Sequence, residues 1–515
     1  MESTPNFEVH VPRRKFKFAV IGGGIAGVSC VEQILEFDSE AEILLISSAP
    51  VVKEVSNVTR LTKTLQDFVI VEKSLKSFKD VHQSVIVIQD YVNTVEPKKH
   101  LVSTANNGSF EYEKLCICTG ASPKVLFEGN ENVIGIRDTE SVQDLTKRLI
   151  NARRVLLLGN GGIATELVYE LQGVDVIWSI KDSSISSHYL DQGAAEFFVK
   201  TKINEAEESE SSSGSKAQKR RKYALAVLPS ESPSSSGNLG KSRGSALGPD
   251  WHEGFCLQGS GDKKQVIIET ETECTCILSR QEYLQHLKSS PDTIVNEEES
   301  EWPVYALLSN GKIYGCNIII SATGVKPNCG DYSVQSDPEK GIFVNCRMET
   351  SQKDIYAAGD VCFANWTWSP HWFQMRLWTQ ARQMGLLAGK NMYISMDTES
   401  QSELDIEPDF MFEVFSHVTR FFGFKVVLLG LYNANGLQSG SYEYLLRYTK
   451  NLEYIKVVLQ NSRMKGAILI GETGLEETFE NLIMNQLDLI DIKIILKTQH
   501  LHKSKKTVQD WKWSP

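Results

Sequence analysis

The chain has 515 residues, 41% apolar and 23% charged, enough for three or four domains of about 100–200 residues each and of ordinary globular composition. A formal net charge of −11 and a pI near 5.6 argue against a broad electrostatic grip on nucleic acid or on an anionic membrane. No apolar run approaches the ~20 residues that a bilayer-spanning helix needs. The opening "MESTPNFEVHVPRRKFKF" lacks an apolar signal core and carries Glu2 and Glu8, so the expected compartment is cytoplasm or nucleus, with no membrane and no direct nucleic-acid partner.

Residues 1–15 are expected to be disordered. From 16, "FKFAVIGGGIAGVSCVEQI" runs from an apolar strand through a glycine turn into a helix with apolar residues at helical spacing, and "AEILLIS" supplies a second strand. Short strands follow ("SVIVI", "HLVST", "KLCICTG"), the last two joined through the turn "ANNG". At 153 the pattern begins again with "RRVLLLGNGGIATELVYELQGVDVIWSI", and the two turns start 137 residues apart at Gly22 and Gly159. Residues 201–250 collapse into Ser, Glu, Lys and Gly and read as a disordered insertion, whose "KRRK" at 219–222 is a solvated charge run or an import signal. Ordered character returns with "VIIET" and "WPVYALLSNGKIYGCNIIISATG". After 400 a strand-rich segment contains the hairpin "KVVLQNSRMKGAILIGE", and the tail from 491 looks loose and basic.

The first turn fits G-x-G-x-x-G with Gly22, Gly24 and Gly27: one glycine for the turn, one for close approach of a pyrophosphate, one for packing of helix on strand. The helix N-terminus then offers N–H groups and a positive dipole end to phosphate. An acid for the ribose hydroxyls should follow about 20 residues later. Ser47 stands there instead. The second turn reads Gly159, Gly161 and Ala164, again with no acid at the strand end, where Ser179 and Lys181 lie. Ten cysteines are present, but none forms C-x-x-C or zinc-finger spacing, so no metal site is expected. Cys116 and Cys118 alternate along a strand and read as buried thiols before a redox pair, as do Cys274 and Cys276. The segment "NWTWSPHWFQMRLW" (365–378) holds four tryptophans and His371, read as packing first and as aromatic cover for a bound ring or proton supply second.

The paired glycine turns, "CTGASP" (118–123), "SATGVKPN" (321–328) and "TSQKDIYAAGD" (350–360), in that order, resemble the pyridine nucleotide-disulfide oxidoreductase family over roughly residues 16–400. The resemblance implies an α/β fold: two Rossmann-like dinucleotide-binding domains, for FAD and NAD(P), plus a C-terminal α+β domain. It implies an FAD domain at 16–150 and 321–403, an NAD(P) domain at 151–320 and the C-terminal domain at 404–490. It implies FAD held by Gly359 and Asp360, with Thr119-Gly120 and Thr323-Gly324 at the crossings between domains. The helix carrying "QARQMGLLAGKN" would face the flavin. Glu166 would stand at the nicotinamide–flavin contact, paired with Lys53 or, in reserve, Lys63. The family's dithiol is missing, since residues 47–63 and 119–159 contain no cysteine. Electrons from NAD(P)H would therefore pass through FAD to oxygen, a quinone or an oxidised partner. A narrower branch of the family, matched by segments to about residue 485, implies residence in cytoplasm and nucleus and redox protection of the RNA-splicing tRNA ligase complex. The alternative is an NAD(P)H-gated, redox-sensing binding protein that forms a long-lived charge-transfer complex and turns over little.

Overall fold

The computed structural model describes residues 14–199, 255–289, 301–396, 409–491 and 511–514. The insertion at 201–250 and most of residues 1–15 and 491–515 lie outside them.

The strand Lys15–Ile21 sits inside a mixed sheet, parallel to Ile43–Ser47 on one side and to Ser109–Ile117 on the other. Ile355–Ala357, more than 200 positions along the chain, adds parallel to Ser109–Ile117 and so returns the chain to the first fold. Near-continuous apolar runs suit strands covered on both faces. The helix Ile25–Phe37 covers this sheet and packs along the helix Trp378–Ile394. That contact is backbone to backbone: a Cβ on Gly385 would lie 2.2 Å from the Ala26 carbonyl oxygen. The first glycine turn is as tight. Gly22 has φ +116°, and a Cβ on Gly27 would lie 1.9 Å from the Gly22 oxygen.

The second fold is a parallel sheet in the order Val133–Gly135, Ile318–Ser321, Arg154–Leu158, Asp175–Ser179, Val266–Glu269. Val133–Gly135 was expected in the first fold. Its partner Ile318–Ser321 is remote in sequence, which puts the boundary near residue 130 rather than 150. Ala121–Pro123 and Val325–Pro327 pair antiparallel where the chain crosses between the folds.

The C-terminal domain is an antiparallel sheet, Ser416–Phe421, Phe424–Gly430, Arg463–Ile470, Glu453–Gln460, Glu443–Thr449, backed by the helix Glu476–Asn485. The expected hairpin closes through Asn461 and Ser462, both at positive φ. Trp511–Ser514, within the tail expected to be loose, forms a further strand beside Glu443–Thr449.

Candidate cofactor and coenzyme site

One cleft of roughly 1140 Å³ runs between the folds, lined by both glycine turns, both Thr-Gly crossings, Asp360, the start of the helix Trp378–Ile394 and part of the C-terminal sheet. A Cβ built on Gly24 or on Gly161 meets nothing within 4 Å, so each turn leaves its second glycine facing open space where a pyrophosphate can approach. Both helices start there, at Ile25 and Gly162, without a side-chain cap. Their first-turn N–H groups have no intrahelical acceptor, which suits phosphate oxygens. Gly22, Ser47, Thr119, Gly120, Gly159, Gly161, Glu166, Gly324 and Asp360 all line this cleft.

The crossings are fastened by Asn328. It accepts from Thr119 Oγ1 through its carbonyl at 2.8 Å, donates Nδ2 to the Thr119 carbonyl at 2.9 Å and accepts from Ser122 Oγ at 2.7 Å. Asp360 is held by Arg137, whose Nη2 donates to Oδ2 at 2.6 Å while its Nε donates to the Ala121 carbonyl. The helix Trp378–Ile394 also begins without a side-chain cap, with Arg376, Leu377 and Trp378 on the cleft wall. Its positive end favours negative charge in the cleft. His417, from the C-terminal sheet, meets it there: Nδ1 lies 3.1 Å from Thr379 Oγ1, and the ring is 5.0 Å from that of Trp378. Burial pushes its pKa down to about 3, so this imidazole is neutral.

On the coenzyme side, Glu166 and Tyr189 flank the second turn, and Tyr189 packs edge-on to Phe421, their centroids 5.5 Å apart. Burial, with the charges of Glu166 and Asp360 nearby, raises the Tyr189 phenol, which stays protonated.

Several expected residues take other parts. Lys53 does not line the cleft. Its buried ammonium pairs with Glu72 and donates to Thr139 Oγ1 at 3.1 Å, because Lys53 and Glu72 face each other in the hairpin of Val51–Arg60 and Gln66–Ser74. It is therefore not the partner of Glu166. Lys63 donates its backbone N–H to Glu480. Gly27 is pressed against the Gly22 carbonyl and Cys118, and Ala164 is fully buried, so neither reaches the cleft, while Gly359 (φ +82°) admits the Ala26 side chain rather than touching it. Ser47 is turned onto its own loop, donating to the Ala49 carbonyl at 3.0 Å. The nearby Asp90 does not replace the missing acid, for its oxygens accept from Tyr91, Asn106 and Asn107. His371 does not line the cleft; it precedes Trp372, whose ring packs with those of Trp366 and Phe412, and its Nε2 is buried without a partner. Cys116 and Cys118 have their sulfurs 3.4 Å apart, but burial raises the Cys116 thiol well above its usual range, which denies it thiolate character.

The segment that lacks the dithiol is a clasp. Glu480 of the C-terminal helix, fully buried, accepts from Thr62 Oγ1 at 2.6 Å, from the Lys63 and Thr64 backbone N–H groups at 2.9 Å and from the Thr64 hydroxyl. Ser416 Oγ donates to the Thr64 carbonyl, and Leu65 enters the C-terminal core. No local signal announces Glu480. Asn328 did lie within a motif segment, 321–328.

Two strand–glycine–helix turns facing one cleft, with an acid from a third strand end between them, define a flavoprotein with separate FAD and NAD(P) folds. The chain belongs to the pyridine nucleotide-disulphide oxidoreductase family, whose model matches residues 16–200 and 282–385. Members of this family bind FAD and NAD(P)H. The chain is 46% identical over 484 residues to pyridine nucleotide-disulfide oxidoreductase domain-containing protein 1 of Homo sapiens, covering 92% of this chain and 94% of that protein. Among solved structures it superposes on a NAD-dependent persulfide reductase from A. fulgidus with TM-score 0.61 and 16% identity, covering 92% of this chain and 78% of that one. A water-forming NADH oxidase from Lactobacillus brevis, bound to NADH, gives TM-score 0.60 and 16% identity over 96% of this chain and 94% of its own. At such identities the structural likeness speaks for the fold.

Proposed function

We propose that the protein is an FAD-dependent NAD(P)H oxidoreductase that works without a redox-active dithiol and passes electrons from flavin straight to oxygen, a quinone or an oxidised partner. The observation that carries this reading is the single cleft reaching both glycine turns while the segment where a dithiol would stand carries no cysteine and is held at its end, through Thr62 and Lys63, by Glu480. Bound FAD supplies hydride acceptance at N5 and onward electron transfer. The chain's part is to bind and orient. The first-turn amides would meet the FAD pyrophosphate, Asp360 with Arg137 the ribityl hydroxyls, and the second-turn amides the coenzyme. Glu166 and Tyr189 flank the nicotinamide approach, and the uncapped start of Trp378–Ile394 favours the electron-rich flavin.

Residence in cytoplasm and nucleus, and protection of the tRNA ligase complex from oxidation, extend this reading from the family branch that the sequence resembles. Co-purification of the ligase with the FAD-loaded protein, dependent on NAD(P)H, is the result expected; its absence in both compartments would remove that extension.

Anaerobic titration with NADH and then NADPH, followed by air, tests the reaction itself. Bleaching of the flavin and prompt recovery are expected. Bleaching with a persistent long-wavelength band and sluggish recovery would transfer the case to the coenzyme-gated binding protein. No bleaching with either coenzyme would sink both.

A further inference from the structure

The second fold ends its ribose-side strand without an acid, and the structure shows what takes its place. Ser179 at that strand end is buried, and its hydroxyl is engaged by Thr272, 3.0 Å from Oγ1 and 3.2 Å from the carbonyl. It is not available to a ribose. The next cleft-lining side chains are Lys181 and Asp182, and opposite them Glu273, immediately before the strand Cys274–Leu278. Lys181 Nζ lies 2.9 Å from Glu273 Oε1, both largely exposed. Glu273 is held from behind by Ser309, whose hydroxyl accepts its N–H at 3.1 Å and whose own N–H donates to its carbonyl at 2.8 Å. Asp182 is fixed by Asn160 of the glycine turn, which donates Nδ2 to Oδ2 at 2.7 Å.

We propose that Lys181, Asp182 and Glu273 read the 2′ position of the coenzyme ribose and select NADH over NADPH. This deepens the oxidoreductase reading and rests on its assignment of the second turn to the coenzyme. One ammonium and two carboxylates leave a net charge of −1 at this mouth. A 2′-phosphate brings about −1.5 to −2 more, and to bind it must draw Lys181 away from Glu273 and lie beside both carboxylates. A 2′-hydroxyl displaces nothing: it can donate to the Glu273 carboxylate and accept from the Lys181 ammonium. Hydrogen bonds from Asn160, then Ser187, hold the Asp182 carboxyl below its usual range, so its charge persists at neutral pH.

The test is calorimetric titration of the FAD-loaded protein with ADP-ribose and with 2′-phospho-ADP-ribose, which needs no turnover. ADP-ribose should bind about tenfold more tightly, the margin shrinking as salt is raised because these charges are exposed. Glu273→Gln should erase most of the margin by strengthening the 2′-phospho ligand, and Glu273→Lys should invert it. Equal or tighter binding of the 2′-phospho ligand to the wild type overturns the proposal, as does an unchanged ratio in Glu273→Gln, or no binding of either ligand. A protein that shows the preference yet never bleaches with NADH would keep this inference and lose the oxidoreductase reading.

Discussion

The two dinucleotide folds present nearly the same turn to the cleft and surround it differently. Gly22 and Gly159 have φ of +116° and +123°, each with a carbonyl 2.2 Å from where a Cβ would stand. Around the first turn, Ser47, Val52, Asp90 and Cys118 are buried, the hairpin Val51–Ser74 lies alongside, and the C-terminal helix holds the hairpin tip. Around the second, Lys181 is 78% and Glu273 61% exposed. Equal turns with unequal walls fit a resident cofactor in one fold and an exchanging coenzyme in the other. The missing dithiol belongs to the same contrast, because the segment that would carry it is fastened at its end to the C-terminal helix instead.

The sharpest break of this comparison is the same substitution in both turns. Gly24 and Gly161 have φ of −76° and −88° and open space at Cβ, so valine fits the fold but fills the phosphate approach. Gly24→Val should purify without the visible flavin band. Gly161→Val should keep the flavin but no longer bleach with NADH. If Gly24→Val retains flavin at full occupancy, the first turn is not its seat.

Next in size is the clasp. Glu480→Ala leaves two threonine hydroxyls and two backbone N–H groups without their acceptor, at a cost of about 2–4 kcal/mol. The urea midpoint should fall and flavin should leave faster, while the Glu480→Gln variant should recover part of both. Unchanged flavin release would mean that the hairpin tip does not help enclose the first site.

What was legible in the sequence was what is local. A glycine turn between strand and helix announces itself because backbone approach demands glycine at fixed spacing, and Asp360 came with the family resemblance that its Gly-Asp strand end helps to carry. Cys116 and Cys118 were readable as strand thiols from alternation alone. Lys53 was misplaced because the direction of its side chain is set by the register Lys53↔Glu72, which no spacing motif encodes. Glu480 meets Thr62 across 418 positions, and Glu273 meets Lys181 through a strand beyond the insertion, so neither could be paired before the sheets were ordered. The same holds for Val133–Gly135, which joins the second sheet by pairing with Ile318–Ser321.

The smallest expected effect concerns acid, and it separates the wall that the C-terminal domain builds from the rest. His417 is neutral in the fold down to about pH 3 and His371 to about pH 4, both because burial disfavours the imidazolium, against an ordinary value of 6.5. In each case the unfolded chain binds the proton first. Stability is therefore full above about pH 6.5 and declines as pH falls, by up to about 1.4 kcal/mol per unit per histidine until the folded pKa is reached. Glu32 works the other way. Burial, then the charge of Glu54, raises it to about 7, so its contribution weakens as pH climbs from 4.5 to 7. Urea midpoints at pH 7 and pH 5 for wild type and His417→Gln isolate one of these contributions, whatever the substitution does to stability at pH 7. The variant should lose less between the two pH values than the wild type. If both fall equally, His417 is reached by protons in the folded state, and the wall it forms beside Trp378 is more open than the buried contacts with Thr379 imply.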